Sequence, residues 1–69
     1  MQRIRGRITR LVKNQGYGFI LGEDGCEVYF EQTALKGLHI HSMWVGQQVE
    51  YAVRFGARAQ AMDIALLPN

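Results

Sequence analysis

The stretch QGYGFI at residues 15–20 decides the fold of this chain. If it forms a β-strand, its side chains alternate between two faces, so that Tyr17 and Phe19 share one face while Gly18 lies on the other. Glycines inside a strand are costly unless they provide space or a bend. Two aromatic rings beside glycines therefore predict a small, strongly curved barrel that displays flat rings on its surface.

A second aromatic segment, VYF, follows after a turn. Val28 and Phe30 share one face of this predicted strand. The other face carries Tyr29 between Glu27 and Glu31. Ionised carboxylates are costly to bury, so a face with two acids is unsuited to a hydrophobic core. We therefore expect Val28 and Phe30 to point inward and Tyr29 to point outward.

Three outward rings, Tyr17, Phe19 and Tyr29, predict a stacking surface for unpaired bases, because every base has a flat face that can stack on an aromatic ring. The alternative is that these rings pack in the core. The charge pattern favours a polyanionic partner near the first strands, since residues 1–20 carry five bases and no acid. Residues 21–31 carry four acids and no base, and would repel such a partner.

The alternation of apolar and polar residues predicts five strands, at residues 2–13, 16–22, 26–31, 47–55 and 59–67. A break in the alternation at residues 10–12 indicates a β-bulge. The GEDG segment at residues 22–25 predicts a hairpin turn. In the last strand, Met62, Ile64 and Leu66 are expected on one face. Short strands without a long helix are typical of a small antiparallel barrel.

The 69 residues, 48% of them hydrophobic, predict a single folded domain over residues 1–69. Such a short chain buries only about 60% of its unfolded surface, which leaves little room for a catalytic cleft. Its single cysteine, Cys26, cannot form an intramolecular disulfide, which fits the cytoplasm. No apolar run approaches the roughly 20 residues that span a bilayer. We expect no membrane association.

No residue pattern in the chain predicts catalysis. A Ser-His-Asp arrangement is not recognisable, and the glycines of QGYGFI do not precede a helix, as a phosphate-binding loop would require. His39 and His41 are too few for a metal site, and Cys26 is distant in sequence. We therefore expect a protein that is not an enzyme and that needs no metal or cofactor.

Both aromatic segments resemble the motifs of cold-shock domains. QGYGFI is similar to the first motif, K-G-F-G-F-I, and VYFEQTAL at residues 28–35 resembles the second, V-F-V-H-F-S-A-I. The spacing between the two motifs also fits, and QAMDI at residues 60–64 resembles Q-A-A-N-V. The resemblance implies an all-β, five-stranded antiparallel barrel of the OB-fold type. It also implies binding of single-stranded RNA or DNA by aromatic stacking.

Several positions depart from this family pattern. Arg10 stands where the family has a stacking Trp, Glu31 where it has His, and Gln15 where it has Lys. Gln32 and Ile40 replace aromatic residues. The predicted nucleic-acid contacts are Arg10, Lys13, Gln15, Tyr17, Phe19, Tyr29 and Glu31. With fewer rings and one added acid, binding is expected to be weaker or more selective than is typical of the family.

Two functions are compatible with these residues. The first is a monomeric module that binds single-stranded nucleic acid, as an RNA chaperone or regulator of gene expression. The second is a barrel of the same fold whose surface has changed to bind a protein partner or to form a weak dimer. The second is suggested by Glu31 and by the apolar residues of the long irregular segment at residues 36–46, namely Ile40, Met43, Trp44 and Val45.

Overall fold

Five short strands separated by turns make up the computed structural model, which describes residues 3–68. The strands are β1 (Ile4–Val12), β2 (Tyr17–Gly22), β3 (Glu27–Glu31), β4 (Gln48–Arg54) and β5 (Gln60–Leu66). Single 3₁₀ turns lie at Lys13–Gln15, Gln32–Ala34 and Ile40–Ser42. All five predicted strands are confirmed within two residues of their predicted ends; the predicted start at residue 2 lies outside the described residues. Across residues 3–68, no helix is long and apolar enough to cross a membrane.

The five strands close into a barrel in the order β1-β2-β3-β5-β4. Every neighbouring pair is antiparallel except β3 and β5, which run parallel and meet where Tyr29 pairs with Gln60. The predicted all-β, five-stranded barrel is confirmed; it is mostly antiparallel, and β3 with β5 is its one parallel pair. The reason is geometric, because five strands in a closed ring cannot all run opposite to both neighbours.

A bulge in β1 confirms the predicted break in its alternation. Ile8 pairs with Ile20, and the next pair is Arg10 with Phe19, so that Thr9 is an extra residue on β1. The bulge lets Ile8 and Leu11 both reach the core, although they are three residues apart. It also turns Arg10 outward, on the same side as Phe19.

A second bulge changes which residues of β5 point inward. Glu50 pairs with Ala65, but Ala52 pairs with Met62, so β5 has one residue more than β4 over this stretch. Asp63 takes up the extra residue with a positive φ of 52°. Ile64 is buried, but Leu66 is 41% exposed. Leu66 still pairs with the buried Val49, so the predicted shared face of Met62, Ile64 and Leu66 is wrong at Met62, and a buried Ala61 contributes to the core instead.

The barrel interior is closely filled around Phe30 and Tyr51, the two largest side chains that are fully buried. Gly18 lies directly against Phe30, and a Cβ atom at Gly18 would come within 2.9 Å of the Phe30 ring and 2.5 Å of the Arg10 carbonyl oxygen. Burial together with the negative charges of Asp24 and Cys26 raises the pKa of the Tyr51 phenol. The core cluster includes none of the three outer rings, Tyr17, Phe19 and Tyr29, so the core is complete without them.

Candidate nucleic-acid interface

Three aromatic rings lie together on the outer face of β2 and β3. Strand pairing brings Phe19 opposite Tyr29, and Tyr17 opposite Glu31. The ring centroids are 6.1 Å apart for Tyr17 and Phe19, 5.6 Å for Tyr17 and Tyr29, and 5.8 Å for Phe19 and Tyr29. All three side chains are half-buried, whereas Val28 and Phe30 are buried inside. The outward direction of the three rings, which we call the aromatic platform, is thereby confirmed.

Glu31 forms one edge of the aromatic platform. Its Oε2 accepts a hydrogen bond of 3.0 Å from the Tyr29 hydroxyl. Partial burial, this hydrogen bond and the negative charge of Glu31 together raise the pKa of the Tyr29 phenol. The phenol is therefore neutral at physiological pH, and its hydrogen bond orients one carboxylate oxygen of Glu31.

Arg58 covers part of the aromatic platform, which sequence reasoning missed. Its guanidinium carbon lies 4.0 Å from the centroid of the Tyr29 ring, within the range of a cation–π contact. Closure of the barrel brings the two residues together, because the Tyr29 amide donates to the Ala59 carbonyl at 3.4 Å. The sequence contained one indication that positive charge lies near the platform, namely two arginines and no acid at residues 54–60.

The predicted polar contacts take different positions around the platform. Arg10 is exposed and pairs in register with Phe19. Lys13 donates from Nζ to the His41 carbonyl at 3.2 Å, so it ties the 3₁₀ turn to the long segment at residues 36–46. Gln15 is exposed at the end of its 3₁₀ turn. Arg10 thus lies beside one ring of the platform, while Lys13 has a structural contact with the irregular segment.

Two other arginines of the basic first segment, Arg3 and Arg5, pair with an acid on another side of the barrel. Arg3 Nε is 3.3 Å from Glu50 Oε1, and Arg5 Nε is 3.7 Å from Glu50 Oε2. These pairs sit on the β1–β4 side of the barrel, where Arg5 is in register with Glu50. The excess positive charge of residues 1–20 is therefore partly neutralised there.

Two departures from the family motifs have a structural explanation. The Gln32 side chain donates from Nε2 to the Leu38 carbonyl at 3.0 Å and accepts at Oε1 from the Ile40 amide at 2.8 Å. Ile40 itself is 1% exposed and belongs to the core. These two residues, which replace aromatic ones, hold the irregular segment against the barrel, a structural role that the sequence did not predict.

The irregular segment at residues 36–46 exposes fewer apolar residues than its sequence suggests. Met43 is buried together with Ile40, whereas Trp44 and Val45 are 55% and 59% exposed. His39 and His41 stack with ring centroids 5.0 Å apart. Within the described part of the chain, no group of three potential ligands could hold a metal ion.

The geometry defines a class of protein: a closed five-stranded barrel of the OB type, with exposed rings on its second and third strands. Residues 4–66 match the family model described as "'Cold-shock' DNA-binding domain". The chain belongs to the cold-shock domain family. Members of this family are OB-fold proteins that bind single-stranded nucleic acids, and they are not enzymes.

Individual relatives agree with this assignment. The cold shock-like protein CspC of Bacillus cereus is 35% identical over 65 residues, which cover 93% of this chain and all of that protein. The cold shock protein CspB of Geobacillus stearothermophilus is 34% identical over 64 residues, 91% of this chain and 97% of that one. The solved structure "drosophila Unr CSD456" superposes with a TM-score of 0.81 at 28% identity. That match covers 97% of this chain and 27% of the Unr chain.

Proposed function

We propose that this protein binds single-stranded RNA or DNA by stacking bases on the aromatic platform, and acts as a monomeric RNA chaperone or regulator of gene expression. The observation that carries the proposal is the position of the three rings. They lie within 6.1 Å of one another on the outside of a barrel whose core is already filled. Rings that are not needed inside, and that are left half-exposed, are available to a ligand.

The polar residues beside the rings fit a nucleic-acid strand. Base stacking contributes about 1–3 kcal/mol per base. Arg10, turned outward by the β1 bulge, can stack its planar guanidinium on a base or neutralise a phosphate. Gln15 and Lys13 offer hydrogen-bond donors at the end of β1. Glu31 retains acceptor capacity beyond its bond to Tyr29 and can receive a base-edge amino group such as cytosine N4.

Arg58 lowers the affinity that the platform alone would provide. A base that stacks on the covered part of Tyr29 has to displace the guanidinium, at a cost of about 0.5–1 kcal/mol for an exposed cation–π contact. This cost is smaller than the stacking gain from one base. Arg58 therefore weakens stacking on Tyr29 without preventing it, and the weaker or more selective binding expected from the sequence is retained as part of the proposal.

The test is a comparison of binding by matched variants of the outer face of β2. We expect the Tyr17→Ala/Phe19→Ala double variant to lose about thirtyfold or more in affinity for a labelled, pyrimidine-rich single strand, measured by anisotropy at stated salt. Leu21→Ala removes another outward apolar side chain of the same strand and is the matched control. Circular dichroism verifies that all three proteins are folded.

The outcomes of this experiment test the binding surface and the binding function separately. Undiminished binding by the double variant would reject the aromatic platform as the binding surface. Failure of the unmodified protein to bind any single strand, across a salt series, would reject the function itself. A salt-dependent affinity is expected, since each phosphate contact releases counterions.

A second function is favoured by one specific observation, the exposure of Trp44 and Val45. Adjacent exposed apolar residues are typical of protein-binding surfaces. In this case the barrel would bind a protein partner or form a weak dimer, and single strands would not bind. Sedimentation at increasing concentration, with Trp44→Ser as the variant, tests this alternative: a concentration-dependent dimer that the variant abolishes would support it.

A further inference from the structure

The carboxylate of Glu31 lies beside two rings of the aromatic platform. In the pairing of β2 with β3, Glu31 is directly opposite Tyr17, and directly opposite residues have Cβ atoms about 4.5–5.5 Å apart. Its Oε2 accepts the 3.0 Å hydrogen bond from the Tyr29 hydroxyl. The centroids of the Tyr17 and Tyr29 rings are 5.6 Å apart, and their planes differ by 33°. A base that stacks on either ring therefore brings one of its edges within reach of this carboxylate.

The hydrogen bond from Tyr29 occupies only one of the acceptor positions of Glu31. An ionised carboxylate is an acceptor only, with about four lone-pair positions on its two oxygens. Glu31 is exposed, and the ion pairs within residues 3–68 have Glu50 and Asp63 as their acids, not Glu31. The carboxylate is thus oriented beside the rings by Tyr29, and it favours a partner that presents N–H donors.

The bases differ in how many adjacent donors they offer to a carboxylate. In a single strand, proteins can form hydrogen bonds with the Watson–Crick edges of the bases. Guanine presents two neighbouring donors there, N1–H and the N2 amino group, which match the two oxygens of a carboxylate in a bidentate pair. Cytosine and adenine present one amino group next to a ring-nitrogen acceptor, and thymine and uracil present N3–H between two carbonyl oxygens. With these other bases, the second carboxylate oxygen faces an acceptor, which repels it.

We propose that Glu31 makes the platform selective for guanine, whose N1–H and N2 amino group donate to the two carboxylate oxygens while the base stacks on the Tyr17 or Tyr29 ring. The proposal rests on the proposed function and deepens it, because it names a base that the bound strand should contain. The negative charge of Glu31 also weakens the binding of every strand, through repulsion of the phosphates. Selectivity is therefore measured as the ratio of two affinities on the same protein, in which this repulsion cancels.

The test compares labelled oligothymidines that differ at one base. Strands of about 7 nucleotides fall within the site sizes known for OB-folds, and the central thymine is replaced by guanine, hypoxanthine, adenine or cytosine. Because a strand can shift along the platform, one guanine is enough to occupy the position beside Glu31. We expect the guanine strand to bind about fivefold or more tightly than the all-thymine strand, measured by anisotropy at constant salt.

Two of the replacement bases separate hydrogen bonding from stacking. Hypoxanthine keeps N1–H but lacks the N2 amino group of guanine, so it should lose most of the gain in affinity. Adenine has the two-ring size of guanine without the paired donors, so it should also show little of the gain. If hypoxanthine and adenine both matched guanine, the preference would be for purine stacking, and the role assigned to Glu31 would be wrong.

Two isosteric variants of β3 assign the selectivity to one carboxylate. Glu31→Gln replaces an acceptor oxygen by an amino donor, which faces the guanine donors, so the gain from guanine should disappear. Glu27→Gln removes the same charge from the same outer face of β3 and is the matched control. Glu27 lies opposite Leu21 rather than a ring, and its Oε2 accepts from Thr9 Oγ1 at 3.4 Å. The Glu27→Gln variant should therefore keep the gain from guanine.

The results separate the selectivity from the function on which it rests. If the unmodified protein binds all strands equally, the selectivity is rejected and the proposed function stands. A gain from guanine that Glu31→Gln retains, or that Glu27→Gln also loses, rejects the assignment to Glu31. If the unmodified protein binds no strand at any salt concentration, the proposed function has failed first. Circular dichroism of both variants should match that of the unmodified protein, since both side chains are exposed.

Discussion

On the inner face of β2 and β3, Phe30 is 1% exposed and packs against Gly18, whereas on the outer face Phe19 is half-buried beside Tyr17 and Tyr29. Both faces are aromatic, and they belong to the same two strands. The inner ring fills the barrel, so its contribution is to stability. The outer rings add little to a core that is already complete, so their conformation and exposure are free to serve binding.

The largest expected effect is on the inner face. Phe30→Ala should lower the free energy of unfolding by about 3–5 kcal/mol, because it removes buried apolar surface and leaves a cavity. A chain of this size has a total stability of roughly 3–10 kcal/mol, so the variant should be close to unfolding. Urea unfolding followed by circular dichroism measures this. A loss below about 1 kcal/mol would show that the core does not depend on this ring.

Overpacking the same face should also be destabilising. Gly18→Ala places a Cβ atom 2.5 Å from the Arg10 carbonyl oxygen and 2.9 Å from the Phe30 ring, and neither backbone nor ring can move freely. We expect a loss of about 1–3 kcal/mol in urea unfolding. Gly56→Ala is the matched control, since nothing lies within 4 Å of its added Cβ. Equal stability of the two variants would contradict the close packing at Gly18.

The outer face should show the opposite balance between stability and binding. Phe19→Ala should cost about 1 kcal/mol or less in the free energy of unfolding, because it removes edge contacts with two neighbouring rings. Its affinity for a single strand should fall by about 1–3 kcal/mol. Parallel unfolding and anisotropy measurements test both. If Phe19→Ala destabilised the protein as much as Phe30→Ala, the division between the two faces would be wrong.

A smaller effect is expected at the acidic edge of the platform. Glu31→Gln keeps an acceptor for the Tyr29 hydroxyl but removes the negative charge beside the proposed strand. We expect the affinity for oligothymidine to rise by up to about 1 kcal/mol, or about fivefold, at low salt. The gain should shrink as the salt concentration rises, because salt screens exposed charges. Weaker binding of the variant would indicate that the carboxylate itself accepts a base-edge donor.

The least effect near neutral pH is expected from the buried phenol of Tyr51. Its folded-state pKa is raised above 10.0 by burial and by the charges of Asp24 and Cys26. The neutral phenol therefore contributes stability that is fully present below pH 10.0 and is lost as the pH rises through the folded-state pKa. Tyr51→Phe should flatten this alkaline decline in urea unfolding. An unchanged alkaline slope would contradict the raised pKa.

The directions of the platform side chains were predictable from the sequence because they depend on local alternation. Within a strand, the period of two assigns Tyr17 and Phe19 to one face and Gly18 to the other, whatever the rest of the chain does. The acids beside Tyr29 placed that ring outside for the same local reason. The break in β1 was also visible as a change of period, although the sequence did not reveal that the bulge brings Arg10 beside Phe19.

Contacts between distant parts of the chain were decided by the tertiary structure. Arg58 reaches Tyr29 because closure pairs β3 with β5, and no local pattern relates the two residues. The same holds for Gln32, whose side-chain amide holds the irregular segment against the barrel. It also holds for the β5 bulge at Asp63, which brings Ala61 rather than Met62 into the core.

The sequence by itself therefore determined which rings face outward, since that follows from the geometry of a single strand. What stands next to those rings was decided only when the barrel closed. An odd ring of five strands requires one parallel pair, and here that pair brings the basic β4–β5 turn against the aromatic platform.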